Sequence, residues 1–414
     1  MIKEENLPKN WELVKIEDIA HTITDYVANG SFASLRENVK YKEKEDYAIL
    51  IRLKDHSKKF KEPFVYIDQH AYDFLSKTKL KNNDLILSNV GARLGTVFRV
   101  PNLNKPMSLG PNAILIRTND SDDYLNYWLR STFGQKSIFN IRSESAQPKF
   151  NKTSLRKIKI PVPPLETQKK IVEILEKAEK LKEWRTEADK LADDYLKIVF
   201  LEMFDHPLSQ SDWQIKNLEK LTKGKNGLVD GPFGSSVNTK VDYVNNGEIP
   251  VIRTKNVNDF QFIEEDLKYM AREKFETVKR SAVYPGDIIL TKVGTIGNLC
   301  IFPNKYKEAV LSTTGSCKIT VDDKIVNSIY LMYYLELYKP KMLQIASTGV
   351  QPFLNMKHIK GFKIKLPPIT LQNQFAQIVQ QVETLKTHQS KSKQEIDNLF
   401  NTVMQKAFKG ELIC

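Results

Sequence analysis

Apolar positions fall in two patterns along this chain. The first is a set of short, nearly continuous runs such as Tyr47-Ala-Ile-Leu-Ile51, Asp84-Leu-Ile-Leu87 and Asn112-Ala-Ile-Leu-Ile116. Gly, Pro and Asn punctuate them, so they read as buried strands between turns. A helical stretch, Asp123–Arg130, interrupts the strands, and Ser328–Tyr338 matches it later. The second pattern is helical and follows each of two proline pairs, Pro163-Pro164 and Pro367-Pro368. A proline lacks the N–H that the first helical turn leaves unused, so each pair reads as the start of a helix, about 40 residues long. A narrow apolar seam is predicted along each. It runs through Ile171, Ile174, Ala178, Leu181, Ala188, Ala192, Tyr195 and Val199 in the first helix. In the second it runs through Phe375, Ile378, Val382, Leu385, Ile396, Leu399 and Val403. Both seams turn polar or small midway, at Arg185 and Ala188 and at Gln389 and Ser392.

The two patterns occur twice because the chain is duplicated. Trp11-Glu-Leu-Val-Lys-Ile-Glu-Asp-Ile19 aligns with Trp213–Leu221, Gly30-Ser-Phe-Ala-Ser34 with Gly231-Pro-Phe-Gly-Ser235, and Ile51-Arg-Leu-Lys-Asp55 with Ile252-Arg-Thr-Lys-Asn256. Asp84–Gly91 aligns with Asp287–Gly294, Gln147-Pro148 with Gln351-Pro352, and Gln168 with Gln372. Order is kept and the offset hardly drifts, so the copies are 1–205 and 206–414. The expected organisation is α+β: a globular domain over 1–163, a long helix over 164–205, a second domain over 206–366 and a second helix over 367–414. A charged helix with a narrow apolar seam needs a partner helix, and its own repeat is the simplest one. Packing of each helix on its own domain is the other reading. An antiparallel pair, each helix spanning about 60 Å, would hold two heads apart as a stiff spacer, on the scale of the ~34 Å turn of B-DNA.

Charge sharpens this picture. Lys and Arg number 63 against 50 Asp and Glu, a net charge of +13. That excess points to a polyanionic partner, nucleic acid before a membrane surface. Three cysteines, Cys300, Cys317 and Cys414, have no metal-site spacing and fit a reducing compartment. The charged opening lacks the apolar core of a signal peptide, and no apolar run reaches the roughly 18–20 residues of a membrane span. A cytoplasmic protein with no membrane association is expected.

Catalytic motifs are missing. There is no G-x-x-x-x-G-K-[ST] phosphate loop, no H-E-x-x-H, no Cys/His cluster and no G-x-S-x-G. Val162-Pro-Pro-Leu165 and Leu366-Pro-Pro-Ile369 lack the amide or acid and the aromatic that flank the prolines of an adenine methyltransferase.

Taken together and in order, the duplicated W-x(4)-[IL] opening, Gly231-Pro-Phe-Gly-Ser-Ser236, I-R-x-K-[DN], Gly286-Asp-Ile-Ile-Leu290 and the twice-used P-P-[LI]-x-x-Q resemble the specificity subunit of type I restriction-modification systems. The likeness spans nearly the whole chain. Copy one departs from it at Ser31, Ala33 and Asn83. The resemblance implies two target-recognition domains joined by an antiparallel coiled coil, each reading one half of a two-part site in double-stranded DNA. It implies a non-catalytic subunit that recruits two methyltransferase subunits and, in the full complex, restriction subunits. S-adenosylmethionine, ATP and Mg²⁺ would then sit on those partners, with no cofactor or metal in this chain. A scaffold that reads no DNA, and a methyltransferase or nuclease with cryptic motifs, are the alternatives.

If the heads read different half-sites, shared residues should be scaffold or phosphate contacts, and divergent loops should read bases. The shared set is Arg52 and Arg253, Lys54 and Lys255, and Gln147 and Gln351, with Asn256 closing the copy-two motif. The divergent candidates in copy one are Ser31, Asn89, Arg93, Arg142 and Lys149. Those in copy two are Ser235, Ser236, Asn238, Lys292, Thr295 and Thr348. Gly30 and Gly231, with Gly91 and Gly294, are expected to need unusual backbone angles.

Overall fold

A computed structural model describes Glu5 and residues 7–205, 213–347 and 352–413. It forms two compact units, residues 1–186 with 390–414 and residues 187–389. Each unit holds one head, the first half of that head's own long helix and the last half of the other.

In unit 1 the continuous apolar runs become strands of two four-stranded sheets. One is antiparallel, in the order Ala20–Asp25, Ala113–Thr118, Leu85–Ser88, Val97–Arg99. The other runs Tyr66–Ile67, Ala48–Ile51, Met107–Leu109, Lys79–Leu80, with its central pair parallel. The runs are apolar throughout because both faces of each central strand are covered. Side chains still alternate. Ile49, Ile51, Ile86 and Leu115 meet between the sheets. Ala48 and Leu50 face the helix Gln69–Phe74 through Ala71, while Leu85, Leu87, Ile114 and Ile116 face the helix Asp122–Arg130 through Leu125 and Trp128. A small sheet, Glu12–Lys15 with Lys159–Val162, closes the head.

Unit 2 repeats this plan strand for strand. Its sheets are Leu228–Asp230, Ser316–Ile319, Ile288–Thr291, Leu299–Ile301 and Lys268–Met270, Ile249–Ile252, Ala309–Leu311, Ala282–Val283. Gln214–Asn217 pairs with Lys363–Leu366. One hairpin, Val257–Asn258 with Gln261–Phe262, has no paired counterpart in unit 1 among the described residues.

The repeated motifs have structural causes. Asp84 and Asp287, which open the central strands, cap the preceding turn by accepting the Lys81 and Tyr284 N–H groups at 2.6 and 2.9 Å. Each also faces a cation across the sheet, Arg117 at 2.6 Å and Lys318 at 3.7 Å. The residue before each Asp is left-handed, Asn83 at φ 68° and Gly286 at φ 88°. Asparagine tolerates that region better than most residues, which accounts for the departure at Asn83. Gly91 and Gly294 are left-handed as expected, at φ 85° and 76°. Gly30 is not: its φ of 165° is extended. Gly231 is required for space instead, since a Cβ there would lie 2.0 Å from the Thr313 carbonyl oxygen.

The long helices span Leu165–Phe204 and Ile369–Lys409. Gln168 and Gln372 fix their starts: the side-chain amides donate to the carbonyls of Pro163 and Pro367 at 2.9 and 2.8 Å. Within each unit the helices pair antiparallel. In unit 1 Lys182 pairs with Asp397 at 2.8 Å and lies over Phe400, while Ile171, Leu175 and Ala178 share a core with Met404, Ala407 and Phe408. In unit 2 Lys386 pairs with Asp193 at 2.6 Å, and Phe200 and Phe204 meet Phe375. The same residues pack on the heads, Phe408 against Tyr124 and Phe204 against Trp213 and Tyr330. Helix-on-helix and helix-on-head packing therefore coexist.

The predicted seam is out by one position over part of its length. Leu175 and Leu196 are buried, whereas Leu181, Tyr195, Leu385 and Leu399 are 40–57% exposed. Lys182 and Lys386 occupy the seam because a lysine can lay its methylenes on apolar surface and keep its charge at the rim. Arg185 and Gln389 are half-buried, as the polar midpoint requires.

Candidate nucleic-acid interface

The fold joins loops that lie far apart in sequence. In unit 1 the loop after strand Leu85–Ser88 is stitched to the segment before helix Lys152–Arg156. Val90 bridges Lys149, the Gly91 N–H donates to the Pro148 carbonyl at 2.9 Å, and the Phe150 N–H donates to the Asn89 carbonyl at 3.1 Å. Unit 2 uses the same stitch: Val293 bridges Phe353 and the Leu354 N–H donates to the Lys292 carbonyl at 2.8 Å. The stitch brings the candidate segments 89–93, 142–145 and Lys149 together in unit 1, and sets the loop of Lys292–Thr295 against Phe353 in unit 2. Thr348 and Gln351, with Gly349, lie outside the described residues.

Several of the candidates are exposed. Arg93, Gln147 and Lys149 are exposed in unit 1, and Arg142 stacks its guanidinium 3.3 Å from the Phe139 ring centroid. Arg93 also helps set the charge of a neighbour: burial first, and the Arg93 charge second, hold His56 below the usual histidine range. In unit 2 Ser235, Ser236 and Thr295 are exposed. Asn238 is exposed too, and its carbonyl oxygen Oδ1 accepts from the Lys240 N–H at 3.1 Å.

Other candidates are committed to the scaffold. Arg52 donates to Asp55, itself fully buried, through Nη2 at 2.9 Å and Nε at 3.2 Å, and the Arg52 N–H donates to the same carboxylate. Asn256 takes the Asp55 position in unit 2, fully buried, accepting from the Arg253 N–H at 3.1 Å and donating to the Ile263 carbonyl at 2.9 Å. The I-R-x-K-[DN] motif is therefore a helix cap whose last residue is interior, and Asn256 cannot meet a base edge. Lys292 is also interior, its ammonium 3.2 Å from Asp230. Ser31 caps the helix Phe32–Asn38, and the Asn89 amide donates to the Phe150 carbonyl at 3.1 Å. Arg253 and Lys255 both engage Asp266, as does Lys268 at 3.1 Å, and these cations hold that carboxyl well below its usual range. Of the shared cations, Lys54 alone is exposed with no ion-pair partner among the described residues.

Sequence reasoning missed two features. Phe32 and Phe233 are 82% and 61% exposed at the same place in the two copies; the repeat itself carries that signal. Lys58, Lys59 and Lys61 stand exposed beside Lys54, in a loop that the shared-residue argument passed over because copy two does not match it.

Comparison with known proteins agrees with this geometry. Residues 8–189 and 211–398 each match the family described as the type I restriction modification DNA specificity domain. A putative type I restriction enzyme MjaX specificity subunit from Methanocaldococcus jannaschii is 25% identical, over 99% of this chain and 97% of its own. The EcoKI specificity subunit of Escherichia coli K12 is 20% identical, over 98% and 90%. A chain from a solved structure on complex assembly and conformational transition of the type I R-M system superposes with a TM-score of 0.61. It is 19% identical and covers 98% of this chain and 99% of its own, a likeness of fold. With two family domains in tandem over most of its length, the chain belongs to the type I restriction-modification DNA specificity family.

Proposed function

We propose that each unit reads one half of a two-part DNA site, and that the chain works without a catalytic group of its own beside partner subunits in the cytoplasm. The observation that carries this is the same stitched loop surface in both heads, bearing different side chains. Two readers of one design and unlike chemistry suit an asymmetric site. Methylation would then belong to methyltransferase subunits carrying S-adenosylmethionine, two per chain. Translocation and cleavage would belong to restriction subunits using ATP and Mg²⁺.

Recruitment is supported by what the first long helix leaves uncovered. Trp184 in unit 1, and Leu191, Tyr195 and Ile198 in unit 2, are each at least 50% exposed. Apolar groups at helical spacing on a helix already paired on another face suit a protein partner. Among the described residues no helix is long and apolar enough to cross a membrane.

Modified-base sequencing of the host genome, with the gene intact and deleted, tests the reading. Loss of adenine methylation at a single two-part motif is expected. Retention of every methylated motif in a host that carries the methyltransferase genes would overturn it.

A further inference from the structure

After Arg52 the chain of unit 1 forms a short helix, Leu53–Ser57, and a tight loop to Lys61. Lys54, Lys58, Lys59 and Lys61 are exposed on it, and none has a carboxylate partner among the described residues. Of the two acids between Leu53 and Val65, Asp55 is buried and spent on Arg52, and Glu62 accepts from the Tyr66 hydroxyl at 3.2 Å.

The loop is fixed from inside. The Asp55 carbonyl accepts the N–H groups of Lys58 and Phe60 at 3.1 and 2.8 Å, and the Lys59 N–H donates to the His56 carbonyl at 2.9 Å. Lys59 and Phe60 are both left-handed, at φ 54°. Non-glycine residues keep that conformation only where their surroundings hold it. Here Phe60 packs edge-on against His56, which stacks on Phe98 at 4.5 Å. Four unneutralised ammonium groups are thus gathered by the fold rather than by a counter-charge. They lie on the same short segment as His56, where the charge of Arg93 is felt.

Unit 2 is built the opposite way. Its segment from Thr254 to Asp266 carries one lysine, Lys255, which is ion-paired, and four acids, Asp259, Glu264, Glu265 and Asp266. The Arg253 cation is engaged by Asp266 as well.

We infer that the Lys54–Lys61 loop is a preformed clamp for the DNA sugar–phosphate backbone and that unit 2 has no counterpart. Unit 1 then adds a salt-dependent grip that the equivalent segment of unit 2 lacks. The inference rests on the DNA-reading function proposed above. It assigns that surface to phosphates, which carry no sequence information, and not to base edges. A rigid cluster loses little side-chain and loop freedom on binding, and a polyanion relieves its self-repulsion.

The test uses the full chain with its methyltransferase partner and two duplexes of about 40 base pairs, one of random sequence and one with the methylated motif. Wild type is compared with K58Q/K59N/K61Q; asparagine keeps the left-handed backbone at position 59. Removing three phosphate contacts should flatten the plot of log affinity against log salt by about 2.7 and weaken binding at 0.15 M salt on the order of a hundredfold, on both duplexes alike. Glu264→Lys with Glu265→Lys should steepen the same plot. Melting of each variant is checked against wild type, and a folded variant with an unchanged slope on both duplexes overturns the clamp. So does a variant that loses preference for the motif while still gripping random DNA. If the wild-type complex shows no preference for the motif duplex at all, the DNA-reading function itself fails, a result distinct from either.

Discussion

At the scale of single residues, buried charge decides which motifs are fixed. Arg117 and Asp84 form a close pair in the core, and the carboxylate raises the guanidinium above its usual range. Asp84→Asn should leave Arg117 without its counter-charge and destabilise unit 1 by about 3–5 kcal/mol. Asp287→Asn should cost less. Burial already lowers the Lys318 ammonium below the usual lysine range despite its acid at 3.7 Å, so losing the acid is met in part by losing the proton. Hydrogen exchange read separately in each unit checks the order. His56 supplies a pH dependence. Its folded-state pKa is depressed, so the unfolded chain binds the proton more readily, and stability falls as pH drops through the unfolded-state value near about 6.5. The fall in unit 1 melting temperature between about pH 8 and pH 5 should shrink in His56→Gln. Arg93→Ala should reduce it less, because burial is the larger cause. Cys300 and Cys317 are buried with thiols pushed up to about 12, so neither should react with a thiol reagent until its unit unfolds.

At the scale of elements, the pattern of apolar positions made strands and long helices legible but misplaced part of the helix seam. Strand Ala48–Ile51 and both helix starts follow directly from runs and prolines. Leu181 and Leu385 were misplaced because a lysine at the next position reads as polar while its stem lies on the seam, and Tyr195 because Leu196, the next residue, takes the buried position. Leu175→Ala and Phe200→Ala should each cost about 2–5 kcal/mol. Leu181→Ala should stay within about 0.5 kcal/mol. Urea unfolding of the four proteins separates the two registers. Leu191→Ser with Ile198→Ser should leave stability nearly unchanged and weaken capture of the methyltransferase subunit at least tenfold, as read by titration calorimetry. The candidate surface was legible as regions. Arg93, Arg142, Lys149 and Ser235 stand exposed where divergence placed them, whereas Asn256 and Lys292 turned inward. A cap or an ion pair formed by the fold cannot be told from an exposed contact by residue type alone.

At the scale of the whole molecule, duplication is the organising fact. Each head meets the end of the other copy's helix, so both chain ends of unit 1 are tied into one core: Trp11 shares it with Phe408, and Pro8 lies against Gly410. Two heads of one architecture, with loops of unlike charge, predict a reader whose halves are separable in specificity. The most direct measurement replaces residues 206–365 with the corresponding segment of another family member and sequences the methylated bases of the host. A new motif is expected in which one half-site is changed and the other is kept. A motif changed in both halves, or an unchanged motif from a folded and active hybrid, would contradict it.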